Sequence, residues 1–414
     1  MASPAAYRCV IVLLWALALN ATVAYRGLFW DGSSFLVNIL DLGQIHDFYT
    51  ARAHVDWVTQ VPVLLLSELG MRDTRLLAMV YSATLFGLPA ALYHLALARV
   101  RGDGVLLGIV IAVIATVYLP TCFFIVGEYN VAYAVVVLAM AVTLTTRGHG
   151  LGDAALLCLL GVLAVRSYEA MAYLGPLVAA AIVWSLGRGD FRQVRGLAVI
   201  AALGFVAAAV VGLATIADYW NHPHFVKVRS TSLEFGQNLQ FAVPLAALAI
   251  SATISLLRPA WLRSRGPMVV VGLAIAALVS SPWWRLLDPD SILYPPSHYL
   301  ARQAAGLLLL GLLGCLWLHV AWQRRPPTVL AVLREVEVSR RLVLTMTALM
   351  LAAAVPDVAL TGLWSDYLGR VRALVDSRQG IIRAADLPLE SDLDDPGPGT
   401  EGPPPGSGGA GKTR

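Results

Sequence analysis

The chain has 414 residues, of which 58% are hydrophobic and 14% charged, where ordinary soluble domains carry roughly a quarter charged residues. A mean hydropathy of +0.71 and a formal net charge of only +4 exclude a water-facing enzyme of the usual kind and argue against a nucleic-acid partner. The sequence also lacks a phosphate-cradling glycine motif, a CxxC pair and an HExxH helix.

Arg8 and the apolar run after it predict a first membrane span at about residues 8–25. Thr22-Val23-Ala24 is a weak match to a signal-peptide cleavage site, but a chain with many later spans needs no separate signal, so the segment reads as an uncleaved span. Further spans are expected at 75–97, 105–120, 129–146, 152–166, 170–187, 197–217, 240–257, 268–281, 303–322 and 342–360, about eleven in all. Several are shorter than a full crossing, which suits little tilt, a thinned bilayer or burial inside the bundle. The cysteines Cys9, Cys122, Cys158 and Cys315 sit in or beside these runs and read as small hydrophobes, with no disulfide framework.

Alternate connections differ in charge. Arg8 and the segments 99–104, 147–152, 188–196, 258–267 and 323–341 hold half of the 30 basic residues, while most of the 26 acids lie in the other set. The positive-inside rule then places the N-terminus in the cytoplasm and the C-terminus outside. The predicted fold is an all-α polytopic bundle, one integral-membrane domain over 1–385, with no internal repeat.

The first outer loop, 26–74, is expected to carry interfacial helices. Phe35, Leu36, Ile39 and Leu40 form an apolar stripe at helical spacing. A further crossing at His54–Leu69 would flip every later connection, so that segment reads as a helix on, or dipping into, the outer face. Arg52, His54, Asp56 and Gln60 are expected on its wet side, some of them facing the cleft near Asp31. After the last span, Trp364, Tyr367, Leu368, Val371, Leu374 and Val375 repeat as an amphipathic helix, expected to rest on the outer leaflet within 361–385. Residues 386–414 are acidic and then rich in Pro and Gly, a composition that predicts disorder.

Candidate chemistry gathers near the outer ends. Asp31, in F-W-D-G just past the first span, suits both a helix N-cap and a general base. Arg166 and Glu169, in the turn R-S-Y-E, read as a self-satisfied ion pair or as a phosphate grip, since an ionisable group at membrane depth costs several kcal/mol unless it is partnered. Glu128, in G-E-Y-N, is an interfacial acid or a second carboxylate on the same cavity. His222 and His224 are polar loop residues and make no metal site by themselves. Lys227, Arg229, Arg285 and Arg302 put positive charge on an otherwise acidic face, suited to an anionic lipid head group.

An acidic residue just past an N-in first span, an amphipathic first outer loop and many spans over an outer cavity resemble the GT-C superfamily of polyprenyl-phosphate-dependent membrane glycosyltransferases. The resemblance is one of architecture over about residues 8–380; its local match is Asp31, followed by Gly32 where family members often carry a second acid. It implies a donor sugar on a polyprenyl phosphate, with Asp31 as catalytic base. It also implies Arg166, Arg285 or Arg302 on the leaving phosphate, while Glu128 and Glu169 enter as further substrate-binding groups on the physical argument alone. No cofactor is implied, and the need for a divalent metal stays open. A polysaccharide polymerase or ligase and a lipid-linked-glycan transporter remain alternative readings. The alanine- and arginine-rich, lysine-poor composition suggests a bacterial inner membrane, with the outer face periplasmic.

Overall fold

The structure, a computed structural model, describes residues 4–29, 31–46, 52–122, 127–145, 148–222, 226, 235–236, 238–280, 296–323 and 326–378, with 296–300 by backbone only. Among the described residues all regular structure is helical: α1 (Pro4–Val23), α2 (Asp31–Leu42), α3 (Ala53–Glu68), α4 (Thr74–Val100), α5 (Gly104–Val113), α6 (Glu128–Thr145), α7 (Leu151–Val165), α8 (Met171–Gly187), α9 (Arg195–Asp218), α10 (Leu239–Leu257), α11 (Gly266–Ser280), α12 (Pro296–Ala321), α13 (Thr328–Leu333) and α14 (Val336–Ser377). Seven of them, α1, α4, α6, α9, α10, α12 and α14, are long and apolar enough to cross a membrane. Four shorter apolar helices join them: α7, α8, α11, and α5 with its π-helical continuation Ile114–Tyr118. Each apolar run read from the sequence falls on one of these helices.

Several helix starts are written in the sequence. The Asp73 carboxylate accepts from the N–H groups of Arg75 and Leu76 at the head of α4, and Asp103 does the same for Val105 and Leu106 at α5. Helix α6 is apolar all round and lies at the centre, nearly every residue from Glu128 to Leu144 being buried. Helices α7 and α8 pack on α9 through glycines, the small-residue contact expected where lipid gives no hydrophobic drive. A Cβ on Gly175 would meet the Phe205 carbonyl at 2.5 Å, and one on Gly212 would meet the Glu169 carbonyl at 3.0 Å.

Polar contacts gather the connections into two ends. At the arginine-dense end, Arg99 pairs with Asp153 at 2.6 Å, His319 with Asp103 at 3.0 Å and Arg263 with Glu335 at 2.6 Å, while the Arg341 guanidinium donates to the Arg263 carbonyl. The opposite end carries the first connection.

Three expectations change here. The α2 stripe is not spread on the interface: Leu36 and Ile39 are buried in a small core with Val63 of α3 and Leu77, Ala78 and Tyr81 of α4, Phe35 and Leu40 packing against it. Helix α3 is not wet on its polar side, because Asp56, Thr59 and Gln60 point inward and are buried, while Trp57, Val58 and Leu65 face out. The C-terminal amphipathic segment is not a separate interfacial helix. Its face exists, with Trp364 buried and Tyr367 and Leu368 packed on the core, but it continues α14 without a break. That helix has 42 residues and a length of about 63 Å. Residues 379–385 and the 386–414 tail lie outside the described residues.

Candidate functional site

The site is built where the first connection meets the ends of α4, α6, α7, α12 and α14. The chain leaves α1 and turns at Tyr25, with φ 55°, an uncommon backbone for a bulky residue. A short 3₁₀ turn, Arg26–Leu28, follows. Arg26 is buried, and its Nη1 donates to both Asp357 oxygens at 2.9 Å and to the Thr361 hydroxyl at 3.2 Å. Its guanidinium lies 4.8 Å from the centre of the Phe86 ring, and Nη2 donates to the Cys122 carbonyl at 3.4 Å. Cys122 stands just beyond the π-helical turn, a local widening often found near functional sites. Gly27 passes so close to Ser82 that a Cβ would meet its backbone at 2.9 Å, and Trp364 donates to the Tyr25 carbonyl at 3.3 Å. These contacts fix the start of the connection between α4 and α14, and so fix where α2 begins.

Asp31 is the first residue of α2. It reaches solvent, yet neighbouring groups strip its carboxyl of enough water to raise its pKa above the usual value. Partial burial is the leading cause and the Glu128 carboxylate the next, with Arg52, Arg302 and His46 opposing. Overall exposure and local desolvation are compatible in a group at a mouth, open on one side and crowded on the others.

Arg52, immediately before α3, is the hub. Its Nη2 donates to Glu169 at 2.9 Å, its Nε to the same oxygen at 3.2 Å, and its Nη1 to Glu128 at 3.4 Å. Its guanidinium also lies 5.4 Å from the centre of the Tyr168 ring. Burial works against the charge of Arg52, but the two carboxylates outweigh it and keep the guanidinium firmly protonated. Burial also works to raise the Glu169 pKa, and Arg52 outweighs it, holding that carboxyl below its usual range. Arg302 of α12 is buried with its guanidinium 5.6 Å from the ring centres of both Tyr129 and Tyr168, an arrangement that stabilises a cation over aromatic faces. Its carbonyl accepts from the Tyr133 hydroxyl at 3.1 Å.

Beside this cluster lies a narrow cleft, roomy enough for about one water molecule, lined by Phe35, Val55, Asp56, Thr59, Tyr81, Leu85, Gly127 and Glu128. Gln60 pins the chain beside it, accepting from the His46 N–H at 2.8 Å and donating to the His46 carbonyl at 3.1 Å.

Asp31, Glu128, Glu169 and Arg302 are therefore brought to one place. Arg166 is not: its side chain is exposed, and only its carbonyl joins the site, accepting from the His54 N–H at 3.1 Å. The expected Arg166–Glu169 pair is replaced by Arg52–Glu169, because the turn directs the two side chains apart. Arg285, His224, Lys227 and Arg229 lie outside the described residues, and His222 is exposed beside Tyr219. Among the described residues no three His, Cys, Asp or Glu side chains are placed to hold a metal. Sequence reasoning missed Arg26 with Asp357; it expected Arg52 and Asp56 on a wet helix face with a share of that face toward Asp31, and the structure turns both inward beside Glu128. The one signal for the first pair was an aspartate inside an apolar run, which needs a partner.

The assembled groups can accept hydroxyl protons at Asp31, Asp56 and Glu128 and place positive charge at Arg302 and Arg52. Compared with known proteins, the chain matches no family model, and no curated protein or solved structure is similar to it.

Proposed function

We propose that this protein is a GT-C-type membrane glycosyltransferase that moves a sugar from a polyprenyl-phosphate donor to an acceptor hydroxyl at the outer face of a bacterial inner membrane. In this reading all eleven apolar helices cross, counting the seven long and the four short ones. The arginine-dense end faces the cytoplasm, as the positive-inside rule favours.

The observation that carries the proposal is Asp31, an exposed carboxyl with a raised pKa, standing at the mouth of a cluster that holds Glu128, Arg52 and Arg302. A base works best when its pKa is drawn toward the working pH and it can reach the proton it takes. Asp31 accepts the proton of the acceptor hydroxyl while that oxygen attacks the anomeric carbon. The bond from that carbon to the phosphate oxygen breaks, and the phosphate leaves with the bonding pair. Arg302, a buried cation over the Tyr129 and Tyr168 rings and close enough to Asp31 and Glu169 to act on both, is suited to stabilise that developing charge. Arg285, which precedes α12 in sequence, is a second candidate, and Arg166 at the exposed rim a third. Glu128 and Asp56 line the cleft and suit hydroxyl groups of the acceptor.

Reconstitution in proteoliposomes tests the proposal. Sugar leaving a polyprenyl-monophosphate donor, offered with a range of acceptors, is the expected result. Consumption of a lipid-pyrophosphate oligosaccharide instead identifies a polymerase or ligase. Movement of the intact lipid-linked sugar across the bilayer without cleavage identifies a transporter.

A further inference from the structure

Helix α7 has 15 residues and rises about 22 Å, short of the roughly 30 Å of a hydrocarbon core. Its outward face is nonetheless apolar to the last turn, with Leu159 and Val162 both more than half exposed. Helix α3 stands on that end. The His54 N–H donates to the Arg166 carbonyl at 3.1 Å, and His54 Nδ1 lies 2.7 Å from the Val162 carbonyl. The Trp57 ring is 5.3 Å from that same histidine ring. From there α3 runs antiparallel to α4, away from the bundle: the Thr84 hydroxyl donates to the Thr59 carbonyl at 2.7 Å, and Val63 packs with Leu77 and Ala78 near the start of α4.

The polarity of α3 is inverted for a helix in water. Asp56 is 5% exposed and Gln60 1%, while Trp57 is 46% and Leu65 51% exposed. A helix in water shows the reverse pattern. In hydrocarbon the outward face must be apolar, and ionisable groups turn to the protein interior. The apolar surface of α7 thus continues onto Trp57 and Val58, at the level where α7 itself runs out.

We propose that α3 is immersed in the acyl-chain layer at this end of the bundle, where its outer face contacts phospholipid chains and completes the crossing that α7 leaves short. Trp57 and Val58 lie deepest, Leu65 lies near the head groups and Leu69, 82% exposed at the helix end, lies beyond them. Asp56, Glu128 and Arg52 then stand at acyl-chain depth, screened from lipid by one helix. This inference does not depend on the proposed activity.

Nitroxide labels placed singly at Trp57→Cys, Val58→Cys, Leu65→Cys and Leu69→Cys in the reconstituted full chain test it, with the exposed Cys9 and Cys315 replaced by serine. Collisions with oxygen exceeding those with a water-soluble nickel chelate are expected at 57 and 58. The ratio should fall at 65 and reverse at 69. Nickel dominating at 57 and 58 overturns the proposal, and so does a label there that neither reagent reaches, which would mean that another protein surface covers α3. A second measurement leaves the native cysteines in place. Vesicles of dibrominated phosphatidylcholine should quench more tryptophan fluorescence in the wild type than in Trp57→Phe. Equal quenching overturns the proposal.

Discussion

Two buried charge assemblies hold the first connection at the same end of the bundle, and they follow different rules. Arg26 and Asp357 form a closed pair, with both side chains only 2% exposed. One guanidinium meets one carboxylate, and a hydroxyl, a carbonyl and a phenyl ring occupy surrounding directions. Arg52, in contrast, serves two carboxylates, Glu128 and Glu169, with Asp31 within electrostatic reach and Asp56 on the cleft that Glu128 also lines. The first assembly is balanced and acts as a clamp. The second is rich in carboxylate, open at Asp31 and next to a narrow cleft. A buried ion pair is weak evidence of function in itself; what marks the second assembly as a site is its unequal charge and its opening.

The largest expected effect breaks the closed pair. Asp357→Ala leaves Arg26 charged and buried, and should cost about 3–5 kcal/mol of stability, read as a lower thermal midpoint in detergent. The double change Arg26→Met with Asp357→Leu should recover most of that loss, since a well-packed apolar pair replaces the ions. A double variant no more stable than the single one would mean that the pair does more than clamp. Arg52→Gln should cost less, about 2–3 kcal/mol, because Glu169 is partly exposed and the glutamine can still donate to one of the two carboxylates. An unfolding midpoint like that of wild type would show that the hub does not hold the turn.

Gly306→Ala probes the aromatic floor beneath Arg302. A Cβ there would collide with the hydroxyl groups of Tyr173 and Tyr133, which must shift, for about 1–2 kcal/mol. The smallest effect is in pH dependence, and its two parts have opposite signs. Glu169 has a lowered pKa in the folded protein, so its contribution is present above the ordinary carboxylate range and is lost as pH falls through its folded value. Asp31 has a raised pKa, so the folded chain holds that proton more tightly, and stability rises as pH falls through its folded value toward the unfolded one. Asp31→Asn should abolish the second part of the profile and leave the first.

Much of this was legible in the sequence. The positions of the apolar runs and the α2 stripe follow from local pattern, and the structure places helices there. Asp31, Glu128, Glu169 and Arg302 stood out because charge at the end of an apolar run is costly, and that same cost gathers them. The rest depends on partners that local pattern does not name. Arg26 and Asp357 are 331 residues apart, and no periodicity links them. Positions 52, 56 and 60 define one face of α3, but the pattern does not say whether that face meets water or protein, and near a membrane the answer inverts. Glu169 is close to Arg166 in sequence, yet α3 delivers Arg52 to it. The continuity of α14 was hidden because its apolar run gives way after about residue 360 to an amphipathic stripe, which reads as a second helix, while the backbone continues unbroken.

The central claim is that the open assembly carries chemistry through Asp31. The most direct measurement compares wild type and Asp31→Asn for sugar release from a polyprenyl-monophosphate donor in proteoliposomes, with both proteins shown to unfold at matched midpoints. The account predicts turnover in the wild type and a loss of about 100-fold or more in the variant, the scale of a removed general base. Equal turnover in two equally folded proteins would contradict it, leaving Asp31 as the head of a helix and the base to be sought at Glu128 or Asp56.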